Sequence, residues 1–220
     1  MGAESHAESY YSRILRPVQY LGSADTEAPN IHQAPTVFLA GPVKGAKKWQ
    51  NKAIALIQRG VQANPLAPRD LVFANPRTQF KFPNKSSERP KHHNHEEQYK
   101  WETFHLAQAA HHGVILFWLD DEDIHDCHRP FAQTTRFELA EWLVRSEYGR
   151  EADIVVGIHP NFSGRRYICH RIKNNPWVGL QGSEELPVYV TLEQTCNAAV
   201  AKLVANNQAW NGTVAWPSGG

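Results

Sequence analysis

The chain contains no run of eighteen apolar residues and its mean hydropathy is −0.52, so no membrane-crossing helix is expected. Cysteine is scarce: Cys127, Cys169 and Cys196 are odd in number, far apart, and form no Cys-x-x-Cys pair. That disfavours a disulfide framework and a thiolate zinc site, and it makes a reducing cytoplasm the expected compartment. Charge of either sign is not in excess, with 23 Lys and Arg against 22 Asp and Glu and a formal charge of +1. A protein that grips a nucleic-acid backbone usually needs a basic surplus, so a nucleic-acid polymer is not expected as partner. Met1–Asn30 holds no continuous apolar core, and no signal peptide is expected there. Internal repeats and low-complexity tracts are also missing.

What remains is an ordinary globular composition over 220 residues. A chain of that length buries roughly 70% of its unfolded surface without a staple. Residues 1–35 read as an N-terminal extension, 36–208 as one domain and 209–220 as a tail. Within the extension, Arg13–Gln19 has alternating character and reads as a short edge strand, the only strand position that tolerates Pro17.

From residue 36 onward short apolar runs alternate with helical patterns. Strands are predicted at 36–40, 71–74, 113–119, 154–158 and 187–190. Helices are predicted from Trp49 to Arg59 with Gly60 as the stop, from Asn94 as N-cap to His112, from Thr135 to Glu147, and over 165–173. A last helix carries Cys196, Val200, Leu203 and Val204 on one face. Alternating strands and helices imply an α/β fold with right-handed crossovers, hence a doubly wound, five-stranded parallel sheet with helices on both faces. Such sheets bind ligands beyond the C-terminal strand ends. That singles out three loops, Gly41–Lys48, Asn75–His93 and Asp120–Thr135.

The first loop, with Gly41, Pro42, Lys44, Gly45, Lys47 and Lys48, matches neither a P-loop nor Gly-x-Gly-x-x-Gly. It reads either as a plain strand-to-helix turn or as a close backbone approach to a ligand. Asn75-Pro76-Arg77 reads as turn chemistry or as polar recognition of a small molecule. Thr135 and Glu138 have the spacing of a capping box. The competing reading is a Glu138 carboxylate held near a helix N-terminus and kept ionised, as a nucleophile toward an anomeric carbon must be. Glu102 reads as a solvated helix residue or as a second carboxylate whose proximity splits the two pKa values.

Twelve histidines, including His92, His93, His95, His111, His112, His125 and His128, invite a metal reading. None has a metalloprotease or zinc-finger spacing, and no metal is expected. The Asp120–Asp126 acidic run lacks the EF-hand glycine and final Glu. No Gly-x-Ser-x-Gly elbow occurs.

In order along the chain stand Phe38-Leu39-Ala40-Gly41-Pro42, Asn75-Pro76-Arg77, Gln98 with Trp101-Glu102, Val114–Trp118, and Thr134–Trp142 with its central Phe137-Glu138-Leu139-Ala140. This succession, over roughly residues 36–160, resembles the nucleoside 2-deoxyribosyltransferase family. The resemblance implies a flavodoxin-like fold and exchange of the base of a 2′-deoxynucleoside through a covalent deoxyribosyl–glutamate intermediate, with no cofactor. It implies Glu138 as nucleophile and Glu102 as the group that supports sugar or proton transfer. Gly41, Pro42, Asn75 and Arg77 would line the base and sugar pocket, with Gln98, Trp101 and Thr135 beside them. The partners implied are nucleosides and nucleobases, and a homo-oligomer is expected, with Trp210 and Trp216 of the tail available for an interface. The chain departs from the family at Ala140, where glycine is frequent, at His111-His112-Gly113, and in the long Asp120–Gln133 loop. Nucleoside or 5′-nucleotide hydrolysis and a non-catalytic nucleotide-binding module are the alternatives, the former motivated by Lys44, Lys47 and Lys48.

Overall fold

A computed structural model describes residues 11–16, 34–77, 95–149, 152–174 and 186–212. In chain order the elements are β1 (Tyr11–Leu15), β2 (Thr36–Ala40), α1 (Trp49–Gln62), β3 (Asp70–Ala74), α2 (His95–His111), β4 (Gly113–Leu119), α3 (Gln133–Gly149), β5 (Ile154–Ile158), α4 (Arg165–Lys173), β6 (Val188–Tyr189) and α5 (Leu192–Gly212). The strands form one parallel sheet in the order β1-β3-β2-β4-β5-β6.

The near-continuous apolar strands fill two cores, one on each face of this sheet, because successive side chains alternate across a strand. Val37, Leu39, Phe73, Val114, Leu116 and Trp118 face α1 and α5, meeting Ile57 and Val61 of one helix and Cys196, Ala199 and Leu203 of the other. Phe38, Ala40, Ile115, Phe117, Leu119 and Val156 face the opposite way, toward Trp101 and Leu106 of α2, Leu139 and Trp142 of α3, and Ile172 of α4. β4 is buried along its whole length. Each fully buried Leu, Ile or Phe contributes about 1.5–3 kcal/mol of transfer free energy, which makes this strand the anchor of the sheet. The architecture is the α/β, doubly wound, flavodoxin-like one, with helices on both faces.

Several expectations shift. The sheet has six strands, because Tyr11–Leu15 of the N-terminal segment pairs in parallel with β3 along its whole length. This edge strand lies earlier than the Arg13–Gln19 reading, and Pro17 lies outside the described residues. Gly60 does not stop α1, which runs to Gln62. Its missing side chain instead admits Val200 of α5, whose Cγ2 would stand 2.9 Å from a Cβ at this position. α2 ends at His111, and β6 is shorter than 187–190. α5 continues beyond Gln208 to Gly212. Asn94 and the tail from 213, with Trp216, lie outside the described residues, as does the Trp210 side chain.

Candidate active site

Between β2 and β4 the winding reverses, since the chain leaves β2 for β3 on one side and returns to β4 on the other. A crevice forms at such a switch point, beyond the C-terminal strand ends. The loops after β2, β3 and β4 meet there. The Gly45 carbonyl, in a residue with φ of 77°, accepts the Asp123 N–H at 2.7 Å and the Ile124 N–H at 3.1 Å. The Arg77 guanidinium donates from Nη2 to the carbonyls of Val43 (2.8 Å) and Lys47 (3.0 Å), and from Nε to Gln50 Oε1 (2.9 Å). One arginine from the second loop thus braces the first.

The placement of the anticipated residues separates scaffold from site. Asn75 is fully buried, and its Oδ1 accepts the Arg77 N–H at 3.0 Å, which is turn chemistry. Gly41 is buried, and a Cβ there would stand 2.3 Å from the Trp118 carbonyl oxygen and 2.5 Å from Trp49 Cζ2. The close approach that its glycine permits is therefore to the protein itself. The adjacent Pro42 carbonyl accepts the Trp49 Nε1–H at 3.1 Å. Trp101 is 3% exposed and packs against Phe38 and His105, with ring centroids 6.2 and 4.4 Å away. It anchors α2 in the core. Lys47 and Lys48 are exposed.

The capping box is not formed. α3 starts at Gln133, and the Ala132 carbonyl already accepts the Arg136 N–H at 3.0 Å. Thr135 is therefore a buried residue inside the first turn, and Glu138 lies in the second turn. An N-cap has to precede the first helical residue, so the spacing of these two has no capping function here.

Glu138 is partly buried, and so is Glu102 of α2. Burial, then the charges of Glu102 and Glu141, push the Glu138 carboxyl up to about 8. Burial and like charge thus act against the expectation of a carboxylate kept ionised by the helix N-terminus, which is a turn away. The Glu102 carboxyl is also raised by burial, an effect partly offset by Gln98, whose Nε2 donates to Glu102 Oε1 at 2.9 Å. The solvated-surface reading of Glu102 does not hold. The fold lets the charge of Glu102 act on a carboxyl 36 positions further along the chain.

Asp120 was read only as part of an acidic run. It is buried directly after β4, and burial raises its carboxyl, with partly offsetting hydrogen bonds from the Trp118 side chain and the Asp121 backbone. Its position as first residue past the strongest strand was the available signal. Gln50, a fully buried partner of Arg77, is a residue that sequence reasoning missed; its helical spacing to Ala53, Ile54 and Ile57 on the buried face of α1 was the available signal.

Two hollows open at this rim. One of about 320 Å³ is lined by Lys44, Gly45, Arg129 and Phe131 together with Glu122 and Asp126. A wider, open one of about 1000 Å³ runs past Arg136, Phe137 and Ala140. Glu102 and Glu138 line neither, and residues 78–94, which join Arg77 to α2, lie outside the described residues. Among the described residues no group of three or more His, Cys, Asp and Glu is arranged to hold a metal, and His92 and His93 lie outside them. Among the described residues no helix is long and apolar enough to cross a membrane.

Residues 34–160, more than half of the chain, match the family model described as nucleoside 2-deoxyribosyltransferase like. The chain belongs to that family. No curated protein and no solved structure matches it.

Proposed function

We propose that this protein transfers the 2-deoxyribosyl group between nucleobases, with Glu138 as nucleophile and Glu102 as the carboxyl that handles the proton or the sugar. The observation that carries the reading is that Glu102 and Glu138, both partly buried, act on each other electrostatically in a chain of this family. A carboxyl pair in a poorly hydrated site retains a proton at neutral pH. Glu138 reacts from its ionised form, so its proton has to leave before attack, and the departing base is a group that takes one up. In the proposed step the bond between C1′ and the base nitrogen breaks, its electron pair goes to the base, and a Glu138 oxygen bonds to C1′ through an oxocarbenium-like transition state. A second base then displaces the glutamate, with net retention. The chemistry needs no cofactor.

Incubation with deoxyinosine and no acceptor, followed by intact-mass and peptide mass spectrometry, tests this. A deoxyribosyl adduct on Glu138, absent from Glu138→Ala, is the expected result. Absence of both adduct and base release across a nucleoside panel overturns the reading.

One observation favours a second reading, hydrolysis of 5′-nucleotides. Lys44 and Arg129 line the smaller hollow at the same rim and would suit a phosphate. Glu122 and Asp126 also line it, which weakens the case. Equal turnover of deoxynucleosides and their monophosphates removes the motive for this reading.

A further inference from the structure

The turn of α2 that carries Glu102 is held from two sides. Trp101 fixes it to the sheet by packing on Phe38 and His105. Gln98, one turn earlier, donates from Nε2 to Glu102 Oε1 at 2.9 Å. With Glu102 ionised the amide orientation follows, because a carboxylate only accepts and the NH₂ end then faces it. Gln98 and Glu102 are both partly buried, so this bond is shielded more than a surface pair one turn apart.

We propose that Gln98 is a positioning residue rather than a ligand of the substrate. It fixes the Glu102 carboxylate as the acceptor beside Glu138, and the proton of the carboxyl pair rests on Glu138 until substrate arrives. The inference rests on the reading of that pair as the reacting centre. The charged groups that act on the Glu138 carboxyl are Glu102 from α2 and Glu141 from α3, and Glu141 is itself paired with Arg145 at 2.7 Å. His105, another titratable residue near Glu102 on α2, is buried and its imidazole is lowered to about 4, so it is neutral at pH 7. Burial raises Glu102, and the Gln98 bond opposes that rise. Without the bond Glu102 takes up a proton more readily, its charge on Glu138 diminishes, and the proton moves from one helix to the other. The two carboxyls then titrate as a coupled pair with shifted macroscopic steps.

The test uses the full chain and Gln98→Met, which keeps the length of the side chain and removes the donor. Carbon-13 NMR titration of the Glu102 and Glu138 carboxyls is read in both proteins. In the variant Glu102 is expected to titrate about one pH unit higher, and Glu138 lower, than in the wild type. Superimposable titration curves overturn the inference. This readout needs no activity, so a wild type that releases no base ends the transfer reading and leaves the titration to decide the role of Gln98. In an active enzyme Gln98→Met is expected to lower kcat about tenfold, to leave KM within about twofold, and to displace the pH profile. A raised KM with kcat and pH profile unchanged identifies Gln98 as a substrate ligand and also overturns the proposal. Gln98→Ala provides the same comparison if the methionine variant does not fold.

Discussion

Glu102 stands on α2 and Glu138 on α3, and the charge of the first helps to raise the carboxyl of the second to about 8. Neither helix alone produces this. α2 contributes a carboxylate held by Gln98, and α3 contributes one placed a turn beyond its own N-terminus, where the helix dipole no longer compensates burial.

If Glu138 reacts as the carboxylate, the rate depends on its ionisation. With its carboxyl at about 8 in the free protein, kcat/KM for base release is expected to rise about tenfold per pH unit below that point and to level off above it. Initial rates from pH 5.5 to 9 measure this. A flat profile across pH 6–8 contradicts the raised Glu138 carboxyl and shows a group already ionised at pH 6.

The same shift affects stability with a definite sign. The folded protein holds a proton on Glu138 up to about pH 8, whereas an ordinary glutamate loses it near 4.5. The stabilising contribution is complete below about 4.5 and is lost as pH rises through about 8. Glu138→Gln removes this dependence. Relative to wild type the variant is expected to gain on the order of 2 kcal/mol between pH 4 and pH 9 in urea unfolding. An unchanged difference across that range refutes the buried, protonated carboxyl.

His105 has the opposite effect. It is 1% exposed, neither ring nitrogen has a hydrogen-bond partner among the described residues, and burial lowers it from 6.5 to about 4. The unfolded chain binds the proton first, so stability is lost as pH falls from 6.5 toward 4, by up to about 3 kcal/mol. His105→Phe is expected to lose this acid sensitivity. Parallel wild-type and variant curves over that window show instead that His105 is not held neutral.

Arg77 serves the fold of the rim. Arg77→Ala leaves the Val43 and Lys47 carbonyls and Gln50 Oε1 without their donor. A cost of about 2 kcal/mol in the urea midpoint is expected. Arg77→Lys is expected to recover little of it, because an ammonium lacks the planar fork that reaches several acceptors. Full recovery by lysine shows that charge alone suffices.

Most of the architecture was legible in the sequence. The runs at 36–40, 113–119 and 154–158 were found at their observed bounds, because a strand buried on both faces leaves an unbroken apolar run that depends on no partner for its detection. The sixth strand was blurred because Tyr11–Leu15 mixes polar and apolar residues and is stabilised by pairing with β3, a relation between distant segments. The start of α3 was misplaced by two residues, since Thr135 and Glu138 carry a capping signal that Ala132, with φ of 55°, pre-empts.

The sequence by itself determined the alternation of strands and helices, the loops at which a ligand site would form, and the chemical types present at that rim. The tertiary structure alone decided what those residues do. It made Arg77 a brace, placed Gly41 and Trp101 in the core, and raised the Glu138 carboxyl through burial and the charge of Glu102. The physical reason is that desolvation and charge proximity are properties of a surrounding volume, and that volume is assembled from helices whose sequence positions carry no record of each other.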